Sequence, residues 1–427
     1  MYLEMVRPIQ CQLLLSEPSL QKLLIWTLVL GGILSFCIAG VKHSKGPEVL
    51  ELTPATQKII RFFEKSNHSL ETKRIGNQFY IRKHQTSCHR QLFLRMYLIE
   101  HIPDEIDPGL HHGSLHIIGY GIPLTSQAKQ KKDIIDRLAK ILTIFSTSRI
   151  QTLTLAAFDM VVVLDPHPTK TPLYIRTSLA LNDVSSSFVT WLGARSDFST
   201  CSPAMGLKVH MCPDLTSLEC LDALNFSTLS FFAVSDLKNL KDLACQILTQ
   251  SQVTDSLGIK NLGHLTVTPN LAQVVAERSW EDVDMSISLW LAFFSAQPTA
   301  HINTLYLEAN TIEETLVFEN HLTPFHAHTT CVWITLTTNV PRLTQNLFAC
   351  VVSWGGATFA APFKFSVVAF CGLDTELSVF LKNQTDVFMA TFHKYDIVAA
   401  NYYDRLPNTE SVLAIYCAVL SRPSNPV

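Results

Sequence analysis

The chain has 427 residues and a net charge of −3, with 16% charged and 47% hydrophobic residues. Globular proteins carry about 25% charged residues, so this composition suits a large core or an array of stacked units. Neither a basic excess nor a lysine–arginine stripe is present, which argues against a nucleic-acid binder.

Residues 1–22 form a leader of mixed charge, with Glu4, Arg7, Glu17 and Lys22. Residues 23–41, LLIWTLVLGGILSFCIAGV, carry no charge and approach the ~20 residues that span a bilayer. Cys37-Ile38-Ala39 offers a small-x-small cleavage site and Gly31-Gly32 loosens the segment, as in a signal peptide. Its length and the partly acidic leader suit an uncleaved signal anchor equally well, because Arg7 and Lys22 are balanced by Lys42 and Lys45. A buried core helix is the third reading. The first two deliver the chain beyond Lys42 to the lumen or the outside, so a secreted or single-pass protein is expected. Asn67, Asn225 and Asn383 open N-x-[ST] glycosylation sequons compatible with that route. Asn225 directly precedes an expected strand, where a glycan would be crowded.

Residues 42–110 read as an N-terminal cap. Thr53-Pro54 is a helix start, a hydroxyl N-cap before a proline whose missing N–H is not needed. Ile59, Ile60, Phe62 and Phe63 supply the helix's apolar stripe. Phe79, Ile81 and the run Leu92–Leu98 suggest a strand and a second helix. Over Ser126–Ser146, Ile134, Leu138, Ile141, Leu142 and Phe145 recur with helical spacing, and Lys129, Lys131, Lys132, Arg137 and Lys140 form a solvated face. A short helix is expected over Asp214–Leu224. Another should run over Ser235–Gln250, with Ser235 as N-cap and Leu237, Leu240, Leu243, Ala244, Ile247 and Leu248 inward. Strand, turn and helix in succession imply a parallel sheet.

One spacing recurs through residues 111–385. His301–Ile312 reads HINTLYLEANTI, placing Ile302, Leu305, Leu307, Asn310 and Ile312 on L-x-x-L-x-L-x-x-N-x-L. Alternation puts Leu305 and Leu307 on one face of a strand, with Tyr306 and Glu308 on the other. Asn310 has an amide able to satisfy the backbone where the chain turns. Leu262, Leu265, Val267 and Asn270 repeat the frame, as do Cys331, Ile334, Leu336 and Asn339. Weaker copies are His112-Leu115-Ile117-Tyr120, Ile150-Leu153-Leu155-Phe158, Ala204-Leu207-Val209-Cys212, Phe226-Leu229-Phe231-Val234 and Phe363-Ser366-Val368-Cys371. From Leu207 to Ser366 the strands would step by 22, 36, 40, 29 and 32 residues.

This pattern resembles a leucine-rich repeat (LRR), although regular members step by about 20–29 residues. The resemblance implies an α/β fold: an irregular LRR solenoid with a curved parallel sheet inside, helices outside and an α-rich N-terminal cap. An ordinary α/β domain whose strands imitate the frame is the other reading. Residues 386–420 would form a last repeat or cap, and 421–427, with Pro423 and Pro426, a disordered tail. Irregular repeats, a leader and no Cys-rich caps resemble the expanded LRR families of microsporidian parasites.

Catalytic patterns fail one by one. His112-Gly113-Ser114-Leu115-His116 has His116 where G-x-S-x-G needs a second glycine. Gly119-Tyr120-Gly121 lacks the third glycine of a dinucleotide turn, and no G-x-x-x-x-G-K-[ST] occurs. His321, His326, His328 and Cys331 are zinc-capable donors, but the frame assigns Cys331 to the core and no closed ligand set remains. Of 11 cysteines, Cys11 and Cys37 belong to the leader and apolar segment. The odd remainder reads as buried thiols, with one bridge among Cys201, Cys212 and Cys220 open. No cofactor, small-molecule substrate or catalytic residue is expected.

Function then falls to the strand residues between frame positions. In the resemblance these face the concave side: His116, Thr154, Lys208, His210, Ser230, Phe232, Thr266, Thr268, Tyr306, Glu308, Thr335 and Thr337. Aromatic, hydroxyl and sparse charged groups suit a protein-binding face. The leading expectation is a secreted or membrane-anchored LRR-like protein that binds a protein partner. The alternatives are an intracellular adaptor resembling the LRR substrate receptors of ubiquitin ligases and a metal-dependent enzyme using the His321–Cys331 cluster.

Overall fold

The chain divides into two compact units, Met1–Glu51 and Leu52–Val427, and the computed structural model describes residues of the second. They are 54–65, 70–75, 78–83, 91–99, 101–106, 110–119, 128–159, 170–250, 252–262, 265–294, 301–320, 328–336, 342–343, 346–347, 350–351, 353–354, 363–369, 372–373, 388–394 and 411–417. The leader, the apolar stretch 23–41, the tail, Asn67, Asn383, His321, His326 and Thr337 lie outside them. Among the described residues, no helix is long and apolar enough to cross a membrane.

The protein is α/β, built on one sheet of 15 strands. Helix α1 (Pro54–Glu64) starts on its proline and buries Ile59, Phe62 and Phe63. Strands β1 (Leu70–Ile75) and β2 (Gln78–Lys83) form an antiparallel hairpin. The run Leu92–Leu98 is not a helix. Leu92 and Leu94 are buried while Phe93 is half-buried, a period of two, and the run forms β3 (Gln91–Arg95) and one 3-10 turn. Among the described residues the N-terminal region is therefore not α-rich, and β2 and β3 both pair with β4 (Leu110–Ile118).

From β4 the sheet continues through β5 (Arg149–Phe158), β6 (Tyr174–Val184), β7 (Gly206–His210), β8 (Leu229–Ser235), β9 (Val253–Lys260) and β10 (Ser279–Ser286). It then passes through β11 (His301–Ala309), β12 (His328–Leu336) and β13 (Phe363–Ala369). These ten strands are all parallel, each beside the one before it in sequence. Two more strands, β14 (Phe388–Lys394) and β15 (Ser411–Cys417), extend the sheet antiparallel, β15 lying against β13. Parallel neighbours need a crossover. Among the described residues it is a helix of eight residues or more in four units, α2 (Ala128–Phe145), α3 (Ser186–Arg195), α4 (Pro269–Ala276) and α5 (Ile287–Phe294), and shorter helical turns occur in others, Glu219–Leu224, Gln246–Thr249, Ile312–Thr315 and Val317–Asn320.

Register corrects the sequence reading. Buried partners across the ladder are Leu153, Leu179, Leu207, Phe232, Leu257, Val283, Leu305 and Val332. Their steps are 26, 28, 25, 25, 26, 22 and 27 residues. The long steps expected after Leu229 came from missing β9 and β10, and β6 was missed as well. In β6 and β9 one extra residue separates the first two apolar positions, Ile175 from Leu179 and Val253 from Leu257, and the pairing shifts there. Leu265–Thr268 is not a strand but the lead-in to α4, whose N-cap is Thr268, accepting from the Leu271 N–H, with Pro269 next in the chain. In β12 the frame lies two residues earlier, since Leu305 faces Val332 and Leu307 faces Ile334.

The segment Ser235–Gln250 is helical only over Gln246–Thr249. Leu237, Leu240 and Leu243 are buried as expected, but the chain between them bonds sideways, through one backbone N–H and one side-chain amide. Lys241 N–H donates to Thr216 O (3.0 Å) and Asn239 Nδ2 to Pro213 O (2.9 Å). The preceding segment thus satisfies polar groups that a helix would have satisfied internally. The short helix expected over Asp214–Leu224 is a 3-10 turn over Glu219–Leu224, ending on Asn225 at φ 51°.

A turn recurs where the strands end. Ala157, Asp183, Met211, Asp236 and Asn261, each one residue before or after the last residue of β5 to β9, all have φ between 49° and 57°. This left-handed conformation is unusual for residues other than glycine, and Asp and Asn tolerate it best. The turns are laced together: Met211 N–H donates to Ser235 O and Asp236 N–H to Lys260 O, both at 3.2 Å. After β11 the chain uses a capping box instead. Thr311 Oγ1 accepts from Glu314 N–H (3.2 Å), and Glu314 reaches back to accept the Asn310 N–H at 2.6 Å.

Candidate functional site

One face of the sheet carries the core, and the other is the candidate site. Pairing aligns its side chains into transverse rows. One row runs Phe93, His116, Thr154, Ala180, Lys208, Ala233, Gly258, Asp284, Tyr306 and Trp333. The row above it joins Asn182, His210, Ser235 and Lys260 on β6 to β9, and Glu308 and Thr335 on β11 and β12. Eight of the expected residues, His116, Thr154, Lys208, His210, Ser230, Tyr306, Glu308 and Thr335, lie on these strands with side chains off the apolar core.

The others move. Phe232 is fully buried in the core, because the β8 frame is Leu229, Phe232, Val234, and Phe231 takes the outward position. Thr266 precedes the α4 cap and Thr268 is that cap, so neither lies on a strand. Thr154 is 4% exposed, tucked under His116, whose Nε2 lies 3.5 Å from its Oγ1. Cys331 is half-buried beside Thr304 on this face rather than a frame position of the core. Sequence reasoning also missed Trp333 and Lys260. Trp333 was hidden by the two-residue slip, and Lys260 sits on a strand the frame did not find.

The two ends of the face differ in chemistry. Over β9 to β12 it is acidic and aromatic. Lys260 Nζ lies 2.6 Å from both Asp284 Oδ2 and Glu308 Oε1, so one ammonium serves two carboxylates. Burial pushes the Asp284 carboxyl up more than Lys260 pulls it down, with Glu308 and Asp282 adding repulsion. Burial opposes the Lys260 charge, but Asp284 and Glu308 more than offset that and raise its pKa. Tyr306, 39% exposed, stacks against Trp333 at 6.3 Å with 16° between the planes. Its phenol is pushed up by burial and then by Asp282.

Midway, Lys208 Nζ sits 5.3 Å from the centre of the Phe231 ring. That ring covers Gly206, where a Cβ would fall within 2.3 Å of three ring carbons. His210 Nδ1 lies 2.7 Å from Ser235 Oγ and 3.1 Å from Asp236 Oδ2, and Asp236 is also bonded by Asn261 Nδ2. Toward β4 the face turns to hydroxyls and imidazole. Ser178 Oγ donates to Thr152 Oγ1 at 3.5 Å, and burial holds His116 down to about 4.

The thiols are structural. Cys201, Cys212 and Cys220 are unbridged, and burial pushes them up to about 11, 11 and 12. Cys212 is buried at the expected frame position and donates to His210 O at 3.2 Å. No group of three His, Cys, Asp or Glu able to hold a metal ion occurs among the described residues. Asn225 is exposed at its turn, with strand β8 starting four residues on.

The fold and face define an α/β protein with a large parallel sheet whose neighbours follow sequence order. No family model matches the chain, and neither a curated protein nor a solved structure matches it.

Proposed function

We propose that this chain is an LRR-like solenoid which binds a protein partner on the sheet face turned away from its core. The observation that carries the reading is the ladder itself: buried partners spaced 22–28 residues apart from Leu153 to Val332. LRR units measure about 20–29 residues. The recurrent left-handed turn from Ala157 to Asn261 supports the same repeating unit.

The acidic and aromatic end sets the partner's character. Asp282, Asp284 and Glu308 outnumber Lys260, and Tyr306 and Trp333 offer aromatic faces beside them. Arginine or lysine side chains of the partner meet both needs, by ion pairing and by stacking over the rings. The route we propose is secretory, with residues 23–41 as signal peptide or anchor, as in the microsporidian families the sequence resembles.

The test is to express the full chain in a secretory host and compare proteins retained by wild type with those retained by Tyr306→Ala and Trp333→Ala. A partner whose retention falls at least tenfold in both variants, at unchanged melting temperature, supports the reading. Equal retention by all three removes the face from consideration. N-terminal sequencing of the secreted product, with a new terminus near Gly40, tests the route separately.

A further inference from the structure

A pocket of about 380 Å³ opens where β4, β5 and β6 begin, lined by His111, His112, Arg149, Gln151, Tyr174 and Arg176 over Ile150. Pairing brings these strand starts together: His111 faces Arg149, which faces Tyr174. The described lining contains two guanidinium groups and no carboxylate. Arg149 is held by its neighbour, with its guanidinium carbon 5.4 Å from the centre of the Tyr174 ring. Cationic groups that converge repel one another, and their field reaches His111. Burial lowers its pKa, and Arg149 and Arg176 lower it further.

The floor is equally unusual. His112 is 2% exposed and, among the described residues, neither ring nitrogen has a hydrogen-bond partner. Its ring is wedged between Phe63 (5.5 Å) and Phe145 (5.1 Å). Unsatisfied buried polar groups are uncommon and call for an explanation. Just above the pocket, the next row of the same strands offers Ser114, Thr152 and Ser178, neutral hydroxyls that can donate to oxygen.

We propose that this pocket binds the phosphate group of a small organic phosphate. Forked guanidinium donors match the oxygens of a phosphate, and a dianion offsets the positive charge of Arg149 and Arg176. The volume exceeds what inorganic phosphate fills and lies in the range of small-ligand sites, about 300–1,000 Å³. The flat Arg149–Tyr174 pair gives the organic portion a wall to lie on. This site is separate from the acidic end of the face and does not depend on a protein docking there.

The test uses the full chain at constant ionic strength with four probes: inorganic phosphate, ribose 5-phosphate, ribose and acetate. Saturable binding of the two phosphates by calorimetry, with ribose and acetate at least tenfold weaker, is expected. Tighter binding of ribose 5-phosphate identifies an organic phosphate as the occupant, and equal binding would restrict the site to phosphate itself and overturn that part. Arg149→Gln/Arg176→Gln should weaken phosphate at least tenfold, while Lys132→Gln on α2 should leave it unchanged. Both arginines are exposed, and melting curves confirm that the double variant folds. Should it not fold, the His111 imidazole resonance in wild-type protein still reads occupancy and should move saturably with phosphate. Acetate binding as tight as phosphate, a double variant that binds like wild type, or a His111 resonance that phosphate leaves in place each overturns the proposal.

Discussion

Lys260→Met should open the sheet locally at β9 to β11, because it removes the ammonium between Asp284 and Glu308. The Lys260, Asp284 and Glu308 side chains are 28%, 35% and 25% exposed, with both contacts at 2.6 Å. Breaking a fully buried pair costs about 3–5 kcal/mol and an exposed one about 0–1 kcal/mol. This partly buried trio should fall between them, at about 2 kcal/mol, or roughly thirtyfold in the opening constant. Hydrogen exchange of β9, β10 and β11 amides reads that constant directly, since each strand leans only on its neighbours. The sign with pH follows from Asp284, whose folded pKa is already raised. A raised pKa favours the fold below the unfolded carboxylate value and costs stability as pH climbs through the folded one. Without Lys260 that rise grows, so the deficit should be full at pH 7 and fade toward pH 4. Glu308→Gln in the same chain should recover part of it. A deficit under about 0.5 kcal/mol at pH 7, or one of equal size at both pH values, would show that the trio is merely a surface network.

Two further perturbations test the packing. Gly193→Ala in α3 should lower the melting temperature, although alanine favours a helix by about 1 kcal/mol over glycine. Its Cβ would stand 2.3 Å from Ala223 O, a backbone atom that cannot swing aside, and overpacking costs about 1–3 kcal/mol; a raised melting temperature would contradict this. His112→Phe should flatten the acid limb of stability. Burial and then His111 hold His112 down to about 3, so its contribution is intact above pH 6.5 and is lost as pH falls toward 3. At pH 5 the loss is about 2 kcal/mol. Wild type and variant compared by denaturant unfolding at pH 7.5 and 5 should diverge on the acid side, and parallel curves would dispose of the idea.

Much of the unit was legible, and the failures have local causes. Ile302, Leu305 and Leu307 are buried while Tyr306 and Glu308 face away, as alternation requires. Helix α2 falls within two residues of its expected span because five apolar residues recur at its period. Strand β10 escaped notice because Trp280, Val283 and Met285 are interleaved with Glu281, Asp282 and Asp284, and acidic residues lower strand propensity. Strands β6 and β9 escaped because one inserted residue breaks the apolar spacing. The pocket could not be read at all. Arg149, Tyr174 and Arg176 open two strands, and nothing in the sequence brings them to His111 until the registers are known. Lys260 likewise acquires its role from residues 24 and 48 positions away.

Strict succession along the sheet makes it a ruler. Whole units inserted or lost between β6 and β9 would leave every other hydrogen-bonded neighbour unchanged except at one seam. They would, however, change the distance from the arginine pocket to the carboxylate trio. At about 4.8 Å per strand, the separation from β5 to β10 is now roughly 24 Å, and it can be altered only in whole-strand increments. Any molecule that touched both ends at once would therefore measure the number of units, and gain or loss of a single repeat would retune its fit without altering either end.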